Sequence, residues 1–558
     1  MKKFEEFRED LLAYLHVEYD MEKNDIQKRK GMSREEKIES NEMLTGLTVK
    51  SSQELKYVLN VPENYSKLRS GDKVKLNESI KGLVIDADND TITVETNKPL
   101  ERNTIYDMEA ENPNLLNSLI GCLQGILPAT PGAHFLRLLA GEEEVEAEEF
   151  LKIEPEVQKG FNKVYNLLNE EQKAAVKSML EFYPIHVLQG PPGTGKTLVL
   201  AAAAISTSLE NREVVIIANT HHAVNNGLMK IRQLNKNIPL FKIGDLLKAE
   251  ELDNSIIKLE KFAEFNDYSR KNRRKKRQGY VIGMTIWGAI SYLGLRTHSH
   301  FRPYVALVDE ASLMPLTYAS ILGKCASSIC FFGDSRQMPP IFRSELEENM
   351  LSMSIIDFCA TKVKGVPVSV LPVTHRMNKD ITSLVSKSFY EKDGIILQSA
   401  EDAIDRKFFS HYMESNGWND SVVFMDSRIS TENCCEENKG EATAVISMVK
   451  ALLEEGKKPN EIAVITPFRK QVRLIRAVAH EHIKDGECPL IDTVERLQGQ
   501  DVECIILTFA ASKKEYIENT KDFLFNANRL NVMISRAKTK VVIFASKTVH
   551  EELNLILK

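Results

Sequence analysis

The sequence lacks several features that would assign it to common classes of protein. Its eight cysteines are scattered and no two form a CxxC pair, so the ligand spacing of a zinc site or an iron–sulfur cluster is missing. No apolar run approaches the roughly 18 residues that a membrane span needs. The start, MKKFEEFRED, is acidic where an export signal has an apolar core. We therefore expect a protein with reduced thiols that does not contact a membrane. Its expected location is the cytoplasm, or the nucleus if the source is eukaryotic.

An excess of positive charge is also lacking. The chain has 73 basic and 79 acidic residues and a formal net charge of −6. Many nucleic-acid binders are basic, so this balance weighs mildly against one, although a narrow basic channel on an acidic body remains compatible with it. Glutamates cluster in 142–149 (EEEVEAEE) and basic residues in 270–277 (RKNRRKKR). A solvated helix face explains either run, and contact with nucleic acid is the alternative for the basic one.

Changes of pattern along the 558 residues predict several domains. Residues 1–44 are typical of a charged helical stalk. Short alternating runs in 45–110, including the hairpin signal GLVIDADNDTITVET, predict a small β-barrel. Helical periodicity returns in 111–165, which we interpret as the return of the stalk.

The remaining chain predicts two successive α/β sheets. Apolar, β-branched runs such as EVVIIAN and YVALVDEAS alternate with helices, which is typical of a parallel sheet buried on both faces. The first sheet is assigned to 166–350, with a charged helical insertion at 245–279. A second set of runs begins with VSVL and continues through EIAVITPF, CIILTF and KVVIFAS, which assigns the second sheet to 351–558.

Residues 190–197, GPPGTGKT, match the pattern GxxxxGK[ST] between a strand and a helix. Glycines let backbone N–H groups turn toward phosphates, and the helix N-terminus favours an anion. We expect Lys196 to reach the β- and γ-phosphates of ATP and Thr197 to hold Mg²⁺. The flanking strand and helix disfavour the alternative of a chance glycine-rich turn. The expected loop contacts to ATP are Gly190, Pro191, Pro192, Gly193, Thr194, Gly195, Lys196 and Thr197.

A pair of acidic residues follows another apolar strand, in ALVDEAS at 306–312. Hydrolysis needs a carboxylate for the metal and a base for the attacking water. Asp309 is the candidate Mg²⁺ ligand and Glu310 the candidate base. Taken alone, such a pair could equally cap a helix; the phosphate loop upstream favours the catalytic interpretation.

With both sites in order, the chain resembles a superfamily-one helicase of the 5′→3′ type. It is most similar to the subgroup of the nonsense-mediated-decay RNA helicase, senataxin and the immunoglobulin-mu-binding helicase. The resemblance covers roughly 165–546 and rests on the segments LNEEQKAAV (168–176), FFGDSRQMPP (331–340), LPVTHRMN (371–378) and RLNVMISRAKTKVVIF (529–544). It implies an α/β fold with two tandem RecA-like parallel-sheet domains, an N-terminal helical stalk and a small accessory β-barrel.

The resemblance also implies a composite ATP site. It makes Gln337 the γ-phosphate sensor and makes Arg376 and Arg536 arginine fingers, with a surface salt bridge as the alternative for either arginine. Since the fingers come from the second sheet and Lys196 from the first, ATP is expected to bind between the sheets.

Three further positions are assigned to ATP by the same resemblance. Gln172 is expected to read the adenine base. His375 stands where relatives have an adenine-stacking tyrosine, and Asp501 stands where a glutamate is usual.

The predicted track is single-stranded nucleic acid, either DNA or RNA. Structural turns are the alternative for each residue that the resemblance places along the strand. The residues assigned to the track are Thr220, Thr285, Thr466, Pro467, Phe468 and Thr493, together with Arg273, Arg274, Lys275 and Lys276 of the basic run.

The sequence therefore predicts a monomeric, ATP- and Mg²⁺-dependent helicase or translocase that moves 5′→3′. One alternative is an ATP-gated clamp or a protein-displacing remodeller that does not unwind processively. Another is an unrelated P-loop switch or kinase, which Gln337 and the two candidate fingers disfavour.

Overall fold

The computed structural model describes residues 3–40, 42–61, 68, 72–77, 79–87, 91–111, 116–130, 132–146, 163–266, 279–294, 303–342, 350–484, 488–494 and 501–557. Within these ranges no helix combines the length and the apolar character needed to cross a membrane. The residues Arg273, Arg274, Lys275 and Lys276 of the basic run lie outside the described residues.

The chain begins with helices α1 (Phe4–Gly31) and α2 (Arg34–Glu39). The buried residues of α1 include Phe4, Phe7, Leu11 and Leu15, whose spacing of three or four places them on one face. That face packs in one apolar core with helices α3 (Leu116–Gln124) and α4 (Ala133–Ala140) and with the first large sheet. The expected stalk is therefore continuous with the domain that follows it.

Between these helices lies a closed antiparallel barrel, as the sequence predicts. The strand order is β1-β2-β5-β4-β3-β6. Alternate residues point inward, so Val74, Ile92 and Val94 are fully buried in a separate small core. The strands are β1 (Met43–Gln53), β2 (Lys56–Asn60), β3 (Lys73–Leu76), β4 (Ile80–Ala87), β5 (Thr91–Thr96) and β6 (Tyr106–Ala110).

The first large sheet is parallel and has the order β10-β9-β11-β8-β12-β13-β7-β14 among the described residues. Most of its strands are buried on both faces, and the two faces belong to different apolar cores. The strands are β7 (Ile185–Gln189), β8 (Val214–Ala218), β9 (Leu240–Ile243), β10 (Ile257–Leu259), β11 (Val281–Thr285), β12 (Val305–Val308), β13 (Ser328–Gly333) and β14 (Val368–Val370). The helices are α5 (Glu170–Met179), α6 (Lys196–Leu209), α7 (His221–Leu234), α8 (Ile286–Gly294), α9 (Leu316–Ala319) and α10 (Ile355–Lys362).

Both edges of this sheet correct the sequence-based assignment. The expected helical insertion at 245–279 contains strand β10, which pairs with β9 and extends the sheet. Strand β14, the VSVL run expected to open the second sheet, pairs with β7, so the first sheet continues beyond residue 350. Both strands have three residues. A segment this short does not predict from its sequence whether it forms a strand or which sheet that strand joins.

The second large sheet is also parallel, with the order β17-β21-β20-β18-β19. Two apolar cores cover its faces. The prediction of two RecA-like parallel-sheet domains is thus confirmed. The strands are β15 (Val373–Thr374) and β16 (Gln398–Ser399), which form a separate pair, and β17 (Val422–Phe424), β18 (Ile462–Ile465), β19 (Leu490–Asp492), β20 (Val502–Thr508) and β21 (Ala537–Phe544). The helices are α11 (Lys379–Val385), α12 (His411–Ser415), α13 (Lys439–Glu454), α14 (Arg469–His482), α15 (Lys514–Asn519), α16 (Lys521–Leu524), α17 (Ala527–Ser535) and α18 (Lys547–Ile556).

Candidate ATP site and nucleic-acid face

The glycine-rich loop connects β7 to the N-terminus of α6. Gly193 and Gly195 have φ angles of 75° and 85°, a backbone conformation that residues other than glycine rarely adopt. A Cβ atom on Gly195 would lie 2.6 Å from Gln172 Nε2, and one on Gly190 would lie 2.4 Å from Lys196 Cγ. The loop thus requires glycine for its conformation and for its close packing.

Lys196 begins α6 and folds back over the loop, where its ammonium group donates a hydrogen bond to the Gly190 carbonyl oxygen. Burial lowers the pKa of Lys196, and the carboxylates of Asp334, Glu310 and Asp309 oppose that change. The ammonium group therefore lies among three acidic residues that come from the ends of two neighbouring strands.

Asp309 and Glu310 follow β12 at the same edge of the sheet. Burial, with a smaller contribution from Glu310, raises the pKa of Asp309 to about 7. Glu310 has a φ of 54°, the left-handed conformation that residues other than glycine seldom adopt outside functional turns. A nearby cation would stabilise the charged form of this buried carboxylate. The Asp309 carboxylate and the Thr197 hydroxyl are oxygen ligands of the kind that Mg²⁺ prefers.

Asp334, which sequence reasoning did not single out, is an extensively hydrogen-bonded acid at this edge. Its carboxylate accepts hydrogen bonds from Gln189 Nε2 at 2.8 Å, Gln337 Nε2 at 3.0 Å and the Tyr390 hydroxyl at 2.6 Å. Its position after β13, beside β7 and β12, was the available signal, because carboxyl ends of parallel strands meet at one edge. Gln337 is thereby held at the edge that carries Lys196.

Arg376 and Arg536 converge from the second domain. Arg376 donates to the Ser535 carbonyl oxygen at 2.9 Å and forms an ion pair with Asp501 at 2.6 Å. Arg536 follows α17 and lies 3.9 Å from the same Asp501 carboxylate. Burial, together with the charge of Arg376, lowers the pKa of Arg536 to about 10. Two guanidinium groups thus share one partly exposed carboxylate.

Both arginines lie within electrostatic range of the first-domain residues. The charge of Arg376 adds to the burial that lowers the pKa of Lys196, and the charge of Glu310 opposes the burial that lowers the pKa of Arg536. The backbone also joins the two sides, since His375 N–H donates to the Gly193 carbonyl oxygen at 2.9 Å. A Cβ atom on Gly193 would lie 2.4 Å from Arg376 Cβ.

The two domains therefore meet directly over the phosphate loop. Two AAA-domain family models match residues 167–358 and 352–548, which together span both sheets. The DNA replication ATP-dependent helicase/nuclease DNA2 of Saccharomyces cerevisiae is 26% identical over 411 residues, covering 68% of this chain and 26% of that relative. The DNA polymerase alpha-associated DNA helicase A of Schizosaccharomyces pombe is 26% identical over 452 residues, covering 70% of this chain and 65% of that relative. The chain belongs to superfamily one of the helicases.

The resemblance noted in the sequence is thus confirmed at the level of the family and its subgroup. This helicase spans only about a quarter of the length of the DNA2 relative and about two thirds of helicase A. A solved structure of the Arterivirus nonstructural protein 10 helicase aligns over 92% of this chain and 80% of its own, with 12% identity and a TM-score of 0.42.

The residues expected around the adenine base of ATP lie on both sides of this junction. Gln172 is buried, donates to the Thr194 carbonyl oxygen at 3.0 Å and accepts from Asn169 N–H at 3.1 Å in the capping box of α5. His375 is exposed, 3.3 Å from Asp402. The helicase therefore uses Gln172 to hold the phosphate loop, and adenine recognition by Gln172 and His375 remains a prediction.

The threonines expected along the nucleic-acid strand all lie at the carboxyl ends of sheet strands, either as the last strand residue or just after it. Thr220 is exposed and caps α7, and Thr285 accepts from Gly288 N–H at 3.2 Å at the start of α8. Thr466 and Thr493 are buried and follow the adjacent strands β18 and β19. In each domain of the helicase two of these residues thus lie at the ends of neighbouring strands. The hydroxyls of Thr220, Thr285 and Thr466 also accept hydrogen bonds from backbone N–H groups of the following turns.

Phe468, which the resemblance assigns to the track, lies in an aromatic cluster, and its contact with nucleic acid stays a prediction. Its ring is 7% exposed and packs against Tyr516 and Phe523, with centroids 6.1 and 5.6 Å away. Pro467 is also buried. An aromatic residue that follows a strand can stack on a nucleic-acid base or pack in an apolar core. In this helicase Phe468 packs in a core to which helices α15 and α16 contribute.

Proposed function

We propose that this chain is an ATP-driven motor that moves 5′→3′ on single-stranded DNA and hydrolyses ATP between its two RecA-like domains. The observation that carries the proposal is the junction over the phosphate loop, where a Cβ atom on Gly193 would lie 2.4 Å from Arg376 Cβ. The charges of Arg376 and Arg536 act there on those of Lys196 and Glu310. Only a site built from both domains can convert phosphate chemistry into relative domain movement.

In this proposal the first domain binds and activates the nucleotide. The loop amides and Lys196 bind the phosphates. Thr197 and Asp309 would hold Mg²⁺, which would neutralise charge on the phosphate oxygens. Glu310 accepts a proton from, or orients, the attacking water. Glu310 has a left-handed backbone conformation directly after β12, and its charge acts on Lys196 of the loop.

The second domain stabilises the charge that develops during hydrolysis. Arg376 and Arg536 bind the γ-phosphoryl oxygens as they separate, an effect that is worth about 10³–10⁵ in rate for arginine fingers. Gln337 senses the γ-phosphate, and Asp501 holds Arg376 until the phosphate competes for it. Adenine contact by Gln172 and His375 belongs to the same proposal.

DNA is proposed as the track because the similar proteins are described as DNA helicases. Thr220 and Thr285 in the first domain and Thr466 and Thr493 in the second offer hydroxyl and backbone groups that grip phosphates without reading sequence. The basic run at 270–277 is proposed as an additional contact to the strand. A monomeric state and a cytoplasmic location remain predictions from the sequence.

The decisive experiment measures strand release from duplexes with a 5′ or a 3′ single-stranded tail, made of DNA or RNA. We expect ATP- and Mg²⁺-dependent release from the 5′-tailed DNA duplex, with hydrolysis stimulated by single-stranded DNA. Release from neither tail despite stimulated hydrolysis would support an ATP-gated clamp instead. Hydrolysis that no polynucleotide stimulates would contradict the motor proposal.

A further inference from the structure

A buried hydrogen-bond network links the two domains beside the proposed ATP site. Asp334 Oδ1 accepts from first-domain donors, Gln189 Nε2 at 2.8 Å and Arg336 N–H at 3.1 Å. Asp334 Oδ2 accepts from Gln337 Nε2 at 3.0 Å and from the hydroxyl of Tyr390 at 2.6 Å. The proposed phosphate sensor and a second-domain tyrosine therefore share one carboxylate oxygen.

The Tyr390 hydroxyl is fixed in this position from its other side. Asn531 Nδ2 donates to it at 2.8 Å and to the Arg336 carbonyl oxygen at 2.6 Å. Asp334, Tyr390 and Asn531 are each at most 1% exposed. Burial and the charge of Asp334 raise the pKa of Tyr390 well above its usual value, so the hydroxyl stays a proton donor.

This arrangement bears on the movement of Gln337. To contact a γ-phosphate, its amide must leave Asp334 Oδ2. A buried carboxylate oxygen that loses its donors is costly, because water is not there to replace them. The Tyr390 hydroxyl remains bonded to Oδ2 after Gln337 departs, which lowers that cost.

We infer that Tyr390 is a positioning residue for ATP hydrolysis: its hydroxyl keeps Asp334 Oδ2 bonded while Gln337 moves to the γ-phosphate. The inference rests on the proposed function and deepens it. Because Tyr390 and Asn531 come from the second domain, the sensor is released at low cost only when the second domain is in place. Hydrolysis is thereby tied to the relative position of the domains.

The test compares Tyr390→Phe with the unaltered chain under saturating single-stranded DNA. We expect kcat for ATP hydrolysis to fall about tenfold, which corresponds to about 1.4 kcal/mol. The KM for ATP is expected to change by less than about twofold, since the Tyr390 hydroxyl that the substitution removes is bonded to Asp334 and Asn531. Tyr412→Phe is the matched control, because Tyr412 is a second-domain tyrosine that packs against Trp418, outside this network.

A double-mutant cycle with Gln337→Ala separates positioning from general destabilisation. Without the Gln337 amide, Tyr390→Phe is expected to have no further effect on kcat. An equal loss of kcat in both backgrounds, or no loss in either, would overturn the role of Tyr390. Absence of ATP hydrolysis in the unaltered chain would instead contradict the proposed function. If Tyr390→Phe does not fold, Asn531→Ala, which removes the donor to the hydroxyl, is measured in the same cycle with the same criteria.

Discussion

Replacing Arg536 by glutamine is expected to stabilise the protein in the absence of nucleotide and to remove most of its ATPase activity. Arg536 is 7% exposed, and burial and Arg376 lower its pKa from 12.5 to about 10. At about 1.4 kcal/mol per pH unit, this lowering means that the charged guanidinium costs the folded state about 3 kcal/mol. Because the folded pKa lies below the unfolded one, that cost is fully present below pH 10 and declines as the pH rises toward 12.5.

Part of the stability gained by removing the buried charge will be lost because the arginine side chain also contributes packing. The arginine stem packs among buried neighbours, and glutamine fills only part of that space. Asp501 keeps its 2.6 Å ion pair with Arg376, so the substitution leaves no buried charge unpaired at that carboxylate. We therefore expect the free energy of unfolding to rise by about 1–2 kcal/mol rather than by the full 3 kcal/mol.

The assay is urea denaturation at pH 7 without nucleotide, followed by circular dichroism, beside ATP turnover with saturating single-stranded DNA. Turnover is expected to fall by about 10³–10⁵. The matched control is Arg428→Gln, since Arg428 is an exposed arginine that pairs with Asp426, and its loss should change stability by less than about 0.5 kcal/mol. A loss of more than about 1 kcal/mol of stability in Arg536→Gln would refute the electrostatic reasoning. Turnover within about tenfold of normal would refute the assignment of the finger.

Three further predictions concern other parts of the molecule. Lys196→Ala and Glu310→Gln should each abolish ATP turnover, and near-normal hydrolysis in either variant would contradict the proposed site. Charge reversal within 273–277 should weaken binding to single-stranded DNA and reduce the slope of affinity against salt concentration. Charge reversal of the exposed Lys547 is the control and should change neither. An unchanged slope for the 273–277 variant would favour a solvated helix face. Glu441→Ala should lower the free energy of unfolding by about 2–4 kcal/mol in urea denaturation, because three buried donors on Ser430, Thr508 and Ala510 lose their acceptor; a change below about 1 kcal/mol would contradict this.

The fold was predictable where the pattern was long. The barrel follows from alternating strands, and the two parallel sheets follow from buried apolar runs separated by helices. The errors concern β10 and β14, three-residue strands at the two edges of the first sheet. At such a length, the choice of sheet depends on which edge lies nearby in space.

In the candidate ATP site, too, local patterns were predictable from the sequence and contacts between distant residues were not. The loop at 190–197 and the pair Asp309 and Glu310 are local patterns whose chemistry can be recognised within a few residues. Asp334 lies inside a recognised segment, but its importance comes from Tyr390, which is distant in sequence. Phe468 was assigned to the nucleic-acid track by the resemblance, and its sequence context does not show the rings of Tyr516 and Phe523 that bury it.

The sequence by itself indicated the phosphate loop, the candidate hydrolytic acids, the candidate arginine fingers and the succession of two α/β domains, because each is a pattern of residues that are close along the chain. The tertiary structure alone decided how those parts meet. It placed Arg376 against Gly193, gave Arg376 and Arg536 a common partner in Asp501, and let Gln337 and Tyr390 share one oxygen of Asp334. These contacts depend on how two separately folded sheets pack together, and that packing brings together residues that are far apart along the chain.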